Sequence, residues 1–273
     1  MTTSPMTRRD FLSRGLAAAG GCSFALALGA SPGLSGGDYY QRHRAQLLRD
    51  FQDTNQGAAQ YLAARHGMAL ARELCAEAER GFGKLLPGLP QVGGEQNVMI
   101  EYVPVAAWYV AYYRPFLKRG LSAEDLGRMI YELNLMQYKA TPAAQLAREG
   151  MERFSPAYLA QMKNWAAWAQ KRAYPANWVA RYIQGDGSDF DYGYDYSECA
   201  LVKYFHSQDA MAAAPYVCIN DFARSQAYGT GLARRGTLAM GYPICDFRYK
   251  QGRPVTQGWQ SEVAKIKKMG GAG

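Results

Sequence analysis

The amino-acid sequence predicts an α+β protein, with an N-terminal helical layer followed by a β-α-α-β-β unit that ends in a β-hairpin. Apolar residues recur at helical spacing as far as Tyr174, whereas Asp189 to Tyr196 alternates with a period of two. Short apolar runs on either side of Gly241-Tyr242-Pro243 supply the hairpin.

The first thirty-odd residues read as a removable signal rather than as structure. Thr7-Arg8-Arg9-Asp10-Phe11-Leu12 places paired arginines before a Phe-Leu pair, the pattern of twin-arginine export signals. Leu16 to Ala30 follows, rich in Ala, Leu and Gly, and is too short to span a hydrocarbon core of about 30 Å. Small residues near Ala27 and Ala30 suit a signal peptidase, so residues 1–37 form the signal and the mature start falls between Ser31 and Asp38. The expected destination is the periplasm or the medium. The twin-arginine translocase is then a transient partner, with no membrane span left after processing.

Residues 38–273 are expected to form one α+β domain, with a helical part at 38–174 and a motif-bearing part at 185–250. Residues 1–37 contain three Arg and one Asp, so the remainder carries 28 basic and 22 acidic residues, a net charge of +6. These charges are interspersed, and the densest basic stretch is Lys265-Ile266-Lys267-Lys268. Nucleic acid is therefore not an expected partner, and a small molecule is.

Residues 39–84 read as two helices that stop at Gly81-Phe82-Gly83, followed by a Pro/Gly-rich loop. Val98 to Leu117 is a buried helix interrupted by Pro104 and Pro115. Ser122 can cap the next helix, with Asp125 three residues on, and Leu126, Met129, Ile130 and Leu133 form its apolar stripe. Ser155-Pro156 opens another. Phe190, Tyr192, Tyr194 and Tyr196 then form one face of a strand. Residues 198–207 and 215–229 return to helix, and Thr237–Met240 with Ile244–Lys250 form the two arms of the hairpin.

The chemistry gathers in the last third. Cys199 and Lys203 lie four apart on one helix, and a lysine there would favour the thiolate. Cys218 and Asp221 share a face of the next helix, and in the final strand Cys245 alternates with Asp246 and Arg248. Cys199, Cys218 and Cys245 can therefore converge while Cys75 stays apart in the helical layer. Four readings stay open. The thiols can ligate a metal with a carboxylate, for which zinc or another divalent ion is the matching cofactor; one can attack a substrate; two can pair as a disulfide; or all can be inert and buried. Glu198, Asp221 and Asp246 are candidate proton carriers, Lys203 and Arg248 candidate anion partners, and Arg234, Arg235 and Arg248 can clamp a carboxylate. His43, His66 and His206 read as surface or capping residues. Asp186, Asp189, Asp191 and Asp195 lack the spacing of an EF-hand.

Taken in order, Asp195-Tyr196-Ser197-Glu198-Cys199-Ala200-Leu201, Pro215-Tyr216-Val217-Cys218 with Asp221-Phe222, Gly229-Thr230-Gly231-Leu232 and Cys245-Asp246-Phe247-Arg248 resemble the L-2-amino-thiazoline-4-carboxylic acid hydrolase family. The resemblance implies a hydrolase that opens a cyclic amidine, with Glu198, Cys218, Asp221 and Asp246 as catalytic candidates and Lys203, Arg235 and Arg248 as substrate-binding candidates. The alternative is a non-catalytic periplasmic module that binds a small ligand or a metal.

Overall fold

The computed structural model describes residues 36–270, and the side chains of residues 39–269. The signal expected at residues 1–37 thus lies almost entirely outside the described residues. Among the described residues seven helices come first: α1 (Gly36–Arg42), α2 (Arg44–His66), α3 (Met68–Leu85), α4 (Tyr102–Lys118), α5 (Ala123–Ala140), α6 (Ala143–Glu152) and α7 (Pro156–Ala169). Strands β1 (Val179–Gln184) and β2 (Tyr192–Glu198) follow, then α8 (Ala200–Ser207), α9 (Ala214–Tyr228), β3 (Cys245–Tyr249) and α10 (Trp259–Gly270). This is an α+β fold. Among the described residues no helix is long and apolar enough to cross a membrane.

The helix starts follow local chemistry. Ser122 accepts from the Asp125 backbone N–H while the Asp125 carboxylate accepts from the Ser122 N–H, a reciprocal cap for α5. Ser155 accepts from Tyr158 N–H at the start of α7, with Pro156 in the first turn. The stop expected at Gly81–Gly83 does not occur, and α3 runs on to Leu85. Gly81 lies inside α3 where it faces Ala111 of α4, and a Cβ there would make only ordinary contact, 3.6 Å from the Ala111 carbonyl oxygen.

The three strands form one antiparallel sheet in the order β1-β2-β3. β1 was not expected from the sequence. The first arm of the expected hairpin is also absent: Leu238–Met240 is a short 3₁₀ turn, whose start Thr237 caps by accepting from Met240 N–H. β3 pairs instead with β2, Tyr196 opposite Cys245 and Asp195 opposite Asp246. Alternation divides the sheet cleanly. Tyr182, Tyr192, Tyr194, Tyr196, Cys245, Phe247 and Tyr249 face the helices and join the main core. The opposite face carries charges, where the Asp195 carboxylate receives Arg181 and Arg248, each at 2.8 Å. Gly193 has to be glycine on that face, since a Cβ would stand 2.3 Å from the Phe247 carbonyl oxygen.

Two buried polar joints fix the layers. Asn97 donates to Val92 O (2.7 Å) and Asn177 Oδ1 (2.9 Å) and accepts from Trp165 Nε1 (2.9 Å), tying the approach to α4 onto α7 and the approach to β1. Asn134 of α5 donates to Asn220 of α9 at 2.6 Å, and Asn220 donates to Tyr109 of α4 at 2.8 Å. Satisfied amides in a low-dielectric interior specify one register between helices.

Candidate active site

A cavity of about 260 Å³ opens between the helical layer and the C-terminal unit. Its walls are mostly apolar, and they come from both halves of the chain. Asp53, Thr54 and Gly57 of α2, residues of α4 from Tyr102 to Tyr109, and Ile130 to Gln137 of α5 form one side. Cys199, the α9 face of Cys218, Asn220, Asp221 and Arg224, and Arg234 with Cys245, Phe247 and Tyr249 form the other. Size, enclosure and a few convergent polar groups are the marks of a small-molecule site.

The charged wall is built around Asp221. Its carboxylate accepts from Arg234 at 2.8 Å and stands 3.6 Å from Arg224 on the next turn of α9. Arg234 is 4 % exposed. Its guanidinium also donates to the Cys218 carbonyl at 2.9 Å and lies between the rings of Phe222 (4.8 Å) and Phe247 (4.7 Å). Burial works against its charge, but Asp221 outweighs burial and the guanidinium stays protonated. Arg234 is held in turn by Gln257, which accepts from its backbone N–H and donates to its carbonyl.

The three thiols of the last third all line this cavity, while Cys75 sits in the helical layer against Asn55 and Tyr112. All four are free, so no disulfide joins them. Burial pushes the Cys218 thiol well up, the Cys199 thiol up, and Cys245 up to about 12. Arg234 pulls Cys218 the other way without compensating. The expected help from Lys203 is missing because Cys199 precedes α8 rather than sharing its face. Lys203 turns to the carbonyls of Pro175 (2.7 Å) and Asn177 (2.9 Å) and to Glu198. These thiols are therefore protonated near neutral pH, which is the wrong form for a nucleophile. Among the described residues no three His, Cys, Asp or Glu side chains stand together as a metal site. Cys199, Cys218 and Cys245 do not fit the zinc-type set expected of them.

The remaining predicted residues lie elsewhere. Glu198 pairs with Arg172 and Lys203 outside the cavity, and the Lys203 hydrogen bond holds its carboxyl below the usual range. Asp246 and Arg248 occupy the outer face of the sheet, opposite Cys245 and Phe247. Arg235 is exposed and pairs with Asp246 at 2.8 Å. Burial opposes ionisation of Asp246, but the bonds from Arg235 and from the Gly236 and Arg235 backbone outweigh it. Of the acidic candidates, the structure brings Asp221 alone to the cavity, and of the three arginines read as clamps, Arg234 alone.

Sequence reasoning passed over Arg224, Asn220, Asn134, Tyr109 and Asp53. A signal for two of them existed: continuing the Cys218–Asp221 spacing one turn reaches Arg224, and Asn220 lies on the same stripe.

Neither a curated protein nor a solved structure matches the chain. A family model described as L-2-amino-thiazoline-4-carboxylic acid hydrolase matches residues 102–249, more than half of the 273 residues. That span runs from Tyr102 on the cavity wall to Tyr249 at the end of β3 and contains the whole Asp221–Arg234 wall. The chain belongs to the L-2-amino-thiazoline-4-carboxylic acid hydrolase family.

Proposed function

We propose that this cavity hydrolyses a small cyclic amidine or amide, with water rather than a cysteine as the nucleophile and Asp221 as the proton carrier. The observation that carries this reading is the Asp221 carboxylate, held by Arg234 on the wall of a mostly apolar cavity. A carboxylate there pairs with the N–H groups of an amidine and takes the proton as water attacks the carbon between the two heteroatoms. Collapse of the tetrahedral centre breaks the bond to the departing ring atom, which receives that proton. In a thiazoline the departing atom is sulfur, and the product is an N-carbamoyl thiol. The cavity thiols, held protonated by burial, serve as walls.

The test is turnover of L-2-amino-thiazoline-4-carboxylate with thermal unfolding in parallel. Asp221→Asn is expected to lose turnover by about 100-fold or more, the scale of a positioned acid–base group, while remaining folded. Cys218→Ala is expected to keep turnover per folded molecule. Wild-type turnover in Asp221→Asn, or its loss in Cys218→Ala, overturns the mechanism. Binding without turnover by the wild type favours the small-ligand module.

The chain is further proposed to fold in the cytoplasm and leave by the twin-arginine route, a reading supported by Arg8-Arg9 before Phe11-Leu12. Replacing both arginines by lysine is expected to leave folded protein in the cytoplasm. Normal periplasmic amounts of the double variant refute the route.

A further inference from the structure

Toward the Arg224 end of the cavity, three buried side chains carry a donor that meets no acceptor. Arg224 donates to the Tyr102 hydroxyl and lies 5.7 Å over the Tyr102 ring. Arg153, immediately after α6, is 6 % exposed and lies 5.0 Å over the ring of Tyr228. Its Nε has no hydrogen-bond partner, and among the described residues no carboxylate lies within ion-pair distance of it. Tyr138, 7 % exposed, packs edge-on against Tyr228 at 6.0 Å, and its hydroxyl is unpartnered too. The Nε of Arg234 is a third such donor.

The guanidiniums of Arg234 and Arg224 thus both face the Asp221 carboxylate, while the buried Arg153 has no carboxylate partner among the described residues. The Arg153 charge reaches the cavity wall, because it acts on Tyr102 and Tyr249, and it works against the charge of Arg224. Like charges and unpartnered donors in a low-dielectric interior carry a cost that an arriving anion would relieve.

We propose that this end of the cavity is an anion subsite, in which Arg224 meets a carboxylate or other oxyanion at the wall while Arg153 and the Tyr138 hydroxyl position it and supply field from behind. The proposal rests on the proposed function for which cavity the ligand enters. It goes further in assigning the anionic group to the α6–α9 end, away from the thiols. Arg153 acts through Arg224 and is a positioning residue.

Calorimetric titration of the full chain near neutral pH with benzoate and with its neutral isostere benzamide tests it. The wild type is expected to bind benzoate at least about tenfold more tightly, the scale of a hydrogen bond to a charged group. Arg153→Met is expected to shrink that ratio to about threefold or less, and Tyr138→Phe to reduce it by a smaller factor. A residue that merely supports the fold would weaken both ligands alike. Competition by inorganic phosphate identifies a free anion as the occupant, and its absence identifies a carboxylate borne by the ring; either supports the subsite. Equal affinities in the wild type, no benzoate binding, or a ratio unchanged in both variants overturns it. Should Arg153→Met fail to fold, Arg153→Lys and Tyr138→Phe carry the comparison. Turnover is not read, so a cavity that never hydrolyses anything can still pass, and a failed benzoate test leaves Asp221 as the proton carrier.

Discussion

Replacing Arg234 by methionine keeps most of the apolar stem between Phe222 and Phe247 but removes the charge. Four interactions go with it: the 2.8 Å pair to Asp221, the 2.9 Å bond to the Cys218 carbonyl, and two cation–π contacts. Breaking a fully buried ion pair costs about 3–5 kcal/mol by stranding the surviving charge. Here the Asp221 side chain remains 26 % exposed, so water recovers part of that and about 2–3 kcal/mol is the fitting figure. The cation–π contacts add about 1 kcal/mol, since methionine still covers both rings. The expected loss is about 3–4 kcal/mol, a fall in Tm of roughly 10 °C for a domain of this size. Urea denaturation of the wild type, Arg234→Met, Asp221→Asn and the double variant measures it. Because the loss comes mainly from a stranded carboxylate, the double variant should recover at least about 1.5 kcal/mol relative to the sum of the singles. A loss under 1 kcal/mol, or strict additivity, would show that the Asp221–Arg234 pair is not a structural unit of the cavity wall.

Two further outcomes follow from buried ionisable groups. Asp50 is 4 % exposed, and burial raises its carboxyl from 3.8 to about 7, with the Gln46 amide bond only partly offsetting it. The folded state therefore keeps a proton that the unfolded chain releases above pH 3.8, so stability falls as pH rises from about 4 to about 7, by at most about 1.4 kcal/mol per unit. Asp50→Asn should have the higher Tm at pH 8 and lose that advantage toward pH 4; a pH-independent difference refutes the assignment. Native Cys199, Cys218 and Cys245 should react with iodoacetamide at pH 8 far more slowly than in urea, followed by mass spectrometry, and equal rates would mean that burial does not hold them protonated.

Local rules were legible where the determinant was local. The reciprocal cap at Ser122 and Asp125, the Ser155-Pro156 start and the tyrosine alternation of β2 all depend on neighbours within four residues, and each stands in the structure. Gly81 and Gly83 looked like a terminus because glycine is a poor helix former; the packing of α3 on α4 that carries the helix through both is invisible without the fold. Thr237–Met240 read as a strand arm from its apolar content, yet the Thr237 cap and the positive φ of Gly241 (81°) turn the chain there. At the site, the cluster of Cys199, Cys218, Asp221 and Cys245 was readable because those residues are unusual types in one block. The faces of Asp246 and Arg248 also followed from alternation, but which face holds the cavity did not. The walls from α2, α4 and α5 could not be found, since Val105, Ile130 and Leu133 look like any core position.

The α2 wall has an evolutionary corollary. Asp53, Thr54 and Gly57 close the cavity from outside the segment shared with the family, whereas Asp221 and Arg234 lie within it. On the proposed mechanism, the part of a ligand that meets α2 is read apart from the proton carrier Asp221. Varying Asp53, Thr54 and Gly57 is therefore expected to alter which ligands bind while leaving Asp221 and Arg234 in place.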